Sequence, residues 1–250
     1  MTSTQLSVVI PVRDEWGNLR PLWTELCGVL EESGRSFEVV LVDDASTDGS
    51  SALLDDLARS DARLRIVHLE HPAGQSAALD AGFHAAGGEF VVTLDADLQS
   101  DPADIPPMLC ALGTLDALIG YRARRMDSPL RLLLSRMANH VRNRLLGESI
   151  RDTGCPLKVF RRSSLQRLKL FDGMHRFLPA LMVLEGFSVG QIAVRHRPRR
   201  WGRSKYGPQT RLLRPMVDLL AVRWMKRRRL DYRVRNEREL SERERSSRSG

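Results

Sequence analysis

Through the first half of the chain, compact apolar runs alternate with stretches in which apolar residues recur every three or four positions. Leu6–Val12, rich in β-branched residues, predicts a buried strand, and Asn18–Ser33 predicts a helix. Phe37–Val42 repeats the strand pattern and stops in Asp43-Asp44-Ala45-Ser46-Thr47-Asp48-Gly49, after which Ser51–Arg59 is helical again. Leu64–Leu69 predicts a third strand, Ala77–Ala86 a helix, and Glu89–Leu94 a fourth strand running into Asp95-Ala96-Asp97. Strand and helix alternating at this spacing build a parallel α/β sheet, in which ligands gather beyond the carboxyl ends of the strands. The polar clusters fall at those ends.

Beyond Asp116–Arg122, a fifth expected strand, the pattern changes. Leu130–Leu146 places Leu130, Leu133, Met137, Val141 and Leu145 on one helical face, with Arg131, Arg142 and Arg144 interspersed. A strand-like Leu157–Phe160 follows, then a helical stretch at 174–186, a strand at Val189–His196 and an amphipathic, basic helix at 211–229. Past Asp231 the chain is Arg, Glu and Ser with few apolar groups, which predicts disorder over 231–250. The longest uncharged apolar run, Leu178–Leu184, is far below the roughly 18 residues a bilayer span needs, so no transmembrane helix is expected. Residues 1–5 show no basic stretch leading into an apolar run, so no secretory leader is expected either.

Composition narrows the class. With 250 residues, 42% hydrophobic and 28% charged, the chain is globular, not fibrous or disordered. Cys27, Cys110 and Cys155 are an odd number without metal-finger spacing, which argues against a disulfide framework or structural zinc and fits a reducing cytosol. The net charge of +8 hides a division: residues 1–121 carry net −14 and residues 122–250 net +22. An acidic half suits cations, and a basic half suits phosphates, nucleic acid or lipid headgroups.

Two carboxylates two residues apart at a strand end, as in Asp95-Ala96-Asp97, can approach one hard divalent cation and a diphosphate bound to it. Gln99 adds an oxygen nearby. Asp43 and Asp44 end the second strand in the same way, where a carboxylate can accept from a ribose or a base edge. The same residues also read as a turn that caps the next helix, with Asp48 capping and Asp44 binding.

Four segments in order, Pro11–Leu19, Val42–Ser50, Gly74–Leu79 and Asp95–Pro102, resemble family 2 glycosyltransferases of the GT-A fold. The resemblance covers about residues 5–210 and is nearest to the branch of dolichol-phosphate mannose synthases and bacterial polyprenyl-phosphate glycosyltransferases. Asp14 stands where that family usually has Asn, and Pro72-Ala73 replaces the usual Asn before the glycine. The resemblance implies a Rossmann-like, mostly parallel sheet flanked by helices, with C-terminal amphipathic helices. It also implies that Pro11, Arg13 and Glu15 line a nucleotide pocket, that Val42 and Asp44 meet base and ribose, and that Asp95, Ala96, Asp97 and Gln99 lie at a diphosphate, with Asp95, Asp97 and Gln99 holding Mg²⁺ or Mn²⁺.

In the second half, Arg151-Asp152-Thr153-Gly154-Cys155 through Phe160-Arg161-Arg162 resembles the family's acceptor-side segment. Asp152 would orient the acceptor; a phosphate monoester, with its second pKa near 6, needs no strict general base at neutral pH. The alternative is that Asp152 only pairs with a neighbouring arginine. Arg199, Arg200, Arg203, Ser204, Lys205 and Tyr206 are similar to a loop that folds over the diphosphate, where Arg offers a planar fork and Lys a point charge. Arg122, Arg176 and Ser204 are candidates for the acceptor phosphate, and Asp97, Asp152 and Lys205 for the catalytic set.

The expected organisation is a catalytic domain over 1–210, an amphipathic basic helix over 211–230 at a membrane surface, and a charged tail over 231–250. The implied partners are a nucleotide sugar, a polyprenyl phosphate, the anionic cytoplasmic face of a membrane, to which the protein binds peripherally, and a separate membrane protein. Two rivals stand beside this reading. A family 2 enzyme acting on a soluble saccharide would not require the basic helices, and a nucleic-acid-binding protein, raised by the pI of about 10.1, would leave the aspartate motifs unexplained. No nucleic-acid partner is expected.

Overall fold

In the computed structural model, residues 4–123, 129–147, 149–168, 170–198 and 213–229 are described, with main chain only for 129–136 and 213–215. Among them are strands β1 (Leu6–Val12), β2 (Phe37–Asp43), β3 (Leu64–His68), β4 (Phe90–Thr93), β5 (Ala117–Arg122), β6 (Lys158–Arg161) and β7 (Val189–Val194). The helices are α1 (Trp16–Glu32), α2 (Ser50–Ser60), α3 (Gln75–Ala85), α4 (Ile105–Leu112), α5 (Pro129–Leu146), α6 (Arg162–Leu165), α7 (Leu178–Leu184) and α8 (Leu213–Arg227). The strands form one sheet in the order β3-β2-β1-β4-β6-β5-β7. Every neighbouring pair is parallel except the two made by β6, which runs antiparallel between β4 and β5.

Both faces of the sheet are covered, which is why the inner strands read as continuous apolar runs. Leu6, Val8, Ile10 and Val12 of β1 point into one layer with Leu19, Leu22 and Leu26 of α1, Leu54 of α2 and Met108 of α4. Val9 points to the other, with Ala78 and Phe83 of α3, Leu181 of α7 and Leu219 of α8. Close approach on that side needs Gly82, because a Cβ there would lie 2.3 Å from Val9 Cγ1.

The alternating architecture expected from the pattern forms, with small shifts of boundary. Three features differ. The sequence pattern assigns no element to the residues of α4; there Pro106 and Pro107 occupy the first turn, where a missing amide hydrogen costs nothing. The stretch 174–186 is not one helix: a 3₁₀ turn at Met174–Arg176 stops before α7, whose first turn contains Pro179. Among the described residues, the apolar face expected on Leu130–Leu146 is a core face only at its end, where Leu145 packs against the core. Met137 and Val141 are exposed while Arg142 is buried, and the side chains of Leu130 and Leu133 lie outside the described residues.

α8 is packed along one side and bare along the other. Leu219 and Val222 are buried and Met225 packs beside them, whereas Met216, Val217, Leu220 and Trp224 are 46% to 66% exposed. The sequence pattern puts Leu212, Leu213, Met216, Val217, Leu220, Trp224 and Met225 on one broad apolar face, and Met225 departs from it by packing against the core. Lys226 Nζ donates to the Leu146 carbonyl at the end of α5, and Asp218 sits where a Cβ on Gly173 (φ +92°) would be, 2.4 Å from its Oδ2. The charged tail over 231–250 lies outside the described residues.

Candidate active site

The loops after β1, β2 and β4 meet at one end of the sheet, and each holds one residue in the left-handed region: Asp14 (φ +45°), Ala45 (φ +53°) and Leu98 (φ +61°). They are the non-glycine residues with positive φ among those described. Strain of this kind, of order 1–3 kcal/mol per residue, persists only where the surroundings over-determine it. Here they do: Asp14 N donates to Ser46 Oγ (3.0 Å), Thr47 N to Asp14 Oδ1 (2.7 Å), Glu15 N to Ser50 Oγ (3.0 Å) and Trp16 N to Asp48 Oδ2 (3.1 Å). Asp shares with Asn a tolerance of the left-handed region, so Asp14 satisfies the backbone demand at its position.

Asp44 is buried, and its carboxylate gathers the loop before α3: Ala73 N donates to Oδ1 (2.6 Å), Gly74 N to both oxygens (3.1 and 3.0 Å), and Arg13 lies 3.4 Å from Oδ2. Asp43 beside it accepts from Ser46 N and Ser51 Oγ and meets His68 Nδ1 at 3.0 Å, while His68 Nε2 lies 3.0 Å from Asp55. Burial opposes ionisation of Asp43, yet the hydrogen bonds from Ser46, Ser51 and His68 outweigh it and hold the carboxyl below its usual range. Glu15 Oε2 accepts from Asn18 Nδ2 at 2.5 Å. Val42 and Ala96 are buried in the core, so what they offer a ligand is main-chain atoms; Pro11 is half-buried at the rim.

Asp95 and Asp97 follow β4 as expected. Gln75 Nε2 donates to Asp95 Oδ1 at 3.0 Å, and Gln99 N to Asp97 Oδ1 at 3.1 Å. Gln99 turns its amide nitrogen toward the Arg197 carbonyl. Among the described residues no cluster of three His, Cys, Asp or Glu side chains could enclose a metal. Two carboxylates and an amide oxygen are nonetheless a fitting donor set for Mg²⁺ or Mn²⁺ that keeps positions for substrate phosphates, since such ions use one or two carboxylates rather than full protein cages.

Across from these carboxylates lies the segment after β5. Arg122 forks onto Asp152 through Nε–Oδ2 (2.7 Å) and Nη2–Oδ1 (3.0 Å), both side chains nearly buried. Arg142, from the underside of α5, donates to Thr153 Oγ1, to the Ile150 carbonyl (2.9 Å) and to Asn139 Oδ1 (3.1 Å) and Asn143 Oδ1 (2.8 Å). Asn139 Nδ2 adds a bond to the Arg151 carbonyl. Between the two sides is a cavity of about 160 Å³ lined by Gln75, Asp95, Thr153, Lys158, His175 and Arg176, among others. Ser76 Oγ binds His175 Nδ1 (2.8 Å), and burial, together with the charges of Arg176 and Lys158, pushes the imidazole down to about 3.

The chain after β7 docks beside Gln99. Arg195 pairs with Asp101 (3.1 Å) and Asp104 (2.8 Å), and Arg197 with Asp101 (2.7 Å) and Glu25 (2.5 Å). Description stops one residue later, at Pro198, so Arg199, Arg200, Arg203, Ser204, Lys205 and Tyr206 lie outside the described residues.

A sequence profile of glycosyl transferase family 2 matches residues 7–169, which run from β1 through the acceptor-side segment to just past α6. The chain belongs to this family. A dodecaprenyl-phosphate galacturonate synthase of Rhizobium johnstonii is 38% identical over 231 residues, covering 90% of this chain and 68% of that protein. An undecaprenyl-phosphate 4-deoxy-4-formamido-L-arabinose transferase of Pseudomonas aeruginosa is 39% identical over 219 residues, covering 86% of this chain and 64% of that protein. The chain thus spans about two thirds of the length of these relatives. Among solved structures, glucosyl-3-phosphoglycerate synthase of Mycobacterium tuberculosis with Mn²⁺ and UDP-glucose superposes with a TM-score of 0.66 at 18% identity, over 88% of this chain and 79% of that one. A mannosyltransferase of Pyrobaculum calidifontis with GDP-mannose and Mn²⁺ gives 0.59 at 20% identity, over 92% and 66%. The family 2 glycosyltransferase therefore has the GT-A fold expected from its motifs.

Three site residues escape a reading of the sequence. Lys158 sits inside an apolar strand, His175 inside a stretch read as helix, and Arg142 among arginines that look solvent-facing. Only Arg142 carries a usable hint, since Asn139, Arg142 and Asn143 form a polar stripe at helical spacing opposite the apolar one.

Proposed function

We propose that this glycosyltransferase moves one sugar, with inversion at the anomeric carbon, from a nucleotide sugar to a polyprenyl phosphate at a membrane surface. The observation that carries the reading is the opposition of Asp95 to the Thr153–Lys158 segment across one small cavity, with Asp97 following Asp95 and the Arg122–Asp152 pair at the start of that segment, in a chain whose relatives are named for polyprenyl-phosphate transfer.

Asp95 and Asp97, with Gln99 beside them, would hold Mg²⁺ or Mn²⁺, which when bound supplies positive charge to the departing nucleoside diphosphate. Pro11, Arg13, Glu15 and the main chain at Val42 and Ala96 frame the nucleotide, with Asp44 fixing the loop around it. Arg199 and Lys205 follow the segment that Arg195 and Arg197 dock beside Gln99, and we assign them to the diphosphate. Arg122 holds Asp152 by two hydrogen bonds, so Asp152 positions the acceptor and does not take its proton; the acceptor phosphate is already mostly dianionic at neutral pH. Arg122, Arg176 and Ser204 are assigned to that phosphate. Alignment of the acceptor oxygen on C1 and charge neutralisation at the leaving group do most of the work.

Among the described residues no helix is long and apolar enough to cross a membrane. α5 and α8 instead present Met137, Val141, Met216, Val217, Leu220 and Trp224 to solvent, near Arg223, Lys226, Arg227 and Arg228. Apolar side chains flanked by cations suit the anionic surface of the cytoplasmic leaflet, with a membrane protein as a further partner on this face. The deciding experiment offers purified protein, Mn²⁺ and undecaprenyl phosphate a panel of UDP- and GDP-sugars. Lipid-linked sugar from one donor is the expected product; transfer only to water or to soluble saccharides would sink the lipid acceptor.

A further inference from the structure

We propose that the cavity between Asp95 and the 152–158 segment is an oxyanion site with Lys158 at its floor, taking either the carboxylate of an acidic donor sugar or the phosphate of the acceptor. The proposal rests on the glycosyltransferase reading and gives a role to Lys158, which lies inside the acceptor-side segment but received none from the sequence.

Lys158 lies in the middle of the sheet, in register with Thr93 of β4 on one side and Ile119 of β5 on the other. Its side chain is 4% exposed and lines the cavity. Its one hydrogen bond among the described residues is from Nζ to the Cys155 carbonyl, and no carboxylate among them comes within ion-pairing distance. Asp95 and Asp152 act on it only from farther away, and Asp152 is already forked onto Arg122. A buried ammonium with one neutral acceptor costs several kcal/mol and returns nothing to the fold.

The lining carries both signs, with Asp95 on one side and Lys158 and Arg176 on the other. Arg176 faces the cavity, and burial first, with the charges of Arg176 and Lys158 adding to it, lowers the His175 imidazole beside them. Burial likewise lowers the Lys158 ammonium, so an entering anion would restore the charge it then pairs with. At about 160 Å³ the space is well below the roughly 300 Å³ of pockets that enclose a drug-sized ligand, and suits one ring-sized or smaller group. A sugar bearing a carboxylate and a phosphate both reach this point in the proposed reaction, and both present two or more oxygens to a cation.

The test uses Lys158→Met and Lys158→Arg in the full chain. Calorimetry, which needs no turnover, measures binding of UDP-glucuronate, UDP-glucose and geranyl phosphate. If the site takes a sugar carboxylate, Lys158→Met weakens UDP-glucuronate on the order of 30-fold or more and leaves UDP-glucose within about twofold. If it takes the acceptor phosphate, geranyl phosphate alone weakens to that degree. In both cases Lys158→Arg keeps most of the affinity, and Lys158→Met melts no lower than wild type because an apolar isostere replaces an unpaired cation. Equal binding of all three compounds by wild type and Lys158→Met overturns the proposal, as does a Lys158→Met protein that melts far lower, with Lys158→Gln used for binding if Met prevents folding. Failure of the donor panel to give a lipid-linked product would strike the transferase reading and leave this binding result standing by itself.

Discussion

The loop cluster after β1, β2 and β4 and the segment from Arg122 to Arg176, which meet at the cavity between Asp95 and Lys158, are stabilised in opposite ways. The first region is acidic, and its carboxylates are satisfied by backbone amides and hydroxyls of loops close in space: Asp44 by residues 73 and 74, Asp48 by Trp16 and Ser50, Asp14 by Thr47. The second is basic, and its cations are held by carbonyls, a hydroxyl and one carboxylate: Arg122 by Asp152, Arg142 by the Ile150 carbonyl and Thr153 Oγ1, Lys158, among the described residues, by the Cys155 carbonyl alone. Anions held by amides can turn outward to a metal without loosening the loop. Cations held by carbonyls keep spare donors for an arriving anion, which is the division a transfer from a metal-bound diphosphate to a phosphate requires.

The sharpest way to break this contrast is at Asp97. Asp97→Asn keeps an acceptor for Gln99 N but removes the charge, so turnover and Mn²⁺ affinity should fall on the order of 100-fold or more while the melting temperature holds. Wild-type activity that survives excess chelator would refute it. On the opposite side, removing a charge should cost stability first. Arg122→Met strands a nearly buried Asp152, and a loss of about 3 kcal/mol in denaturant unfolding is expected. A variant as stable as wild type would mean the pair is dispensable for the fold.

Two smaller effects refine the comparison. Leu220→Glu and Trp224→Glu lie on the bare side of α8 and should leave donor turnover in detergent intact while weakening flotation with anionic vesicles about tenfold, more so in high salt. Unchanged flotation would move the membrane contact elsewhere. At the rear of the donor side, burial lowers the His68 ring but its hydrogen bonds to Asp55 and Asp43 prevail, and the pKa is raised. A raised pKa places the stabilisation below about 6.5, the ordinary histidine value, and removes it as pH climbs through the folded value. His68→Gln should therefore cost about 0.5 kcal/mol at pH 5.5 and less at pH 8.5, by thermal melts.

The same contrast explains what the amino-acid sequence reveals. Asp44, Asp95 and Asp97 sit at the ends of apolar runs, and a strand end is a place that periodicity alone locates. Arg122 and Asp152 are 30 positions apart, and their pairing depends on β6 turning back beside β5, which no local pattern states. Lys158 breaks a strand pattern without announcing a use, and Arg142 is set apart from the arginines around it only by the polar stripe it forms with Asn139 and Asn143. The exposed stripe of α8 was visible as an apolar face, but the sign of its burial was not, since an apolar face fits a core as well as a bilayer.

The placement of β6 also sets an order of assembly. β6 follows β5 in the chain yet lies between β4 and β5, so the sheet cannot grow outward from β1 strand by strand as the polypeptide leaves the ribosome. β1 to β4 can pair on their own, and the nucleotide side can take shape with only the first hundred or so residues made. β5 has no partner in that sheet until β6 arrives and joins it to β4. The far edge of β4 stays unpaired meanwhile, for the time it takes to synthesise some 60 residues, at about 5–20 residues per second. The cavity forms late, when β6 brings in Lys158 and the Asp152 segment and His175 and Arg176 then follow to line it.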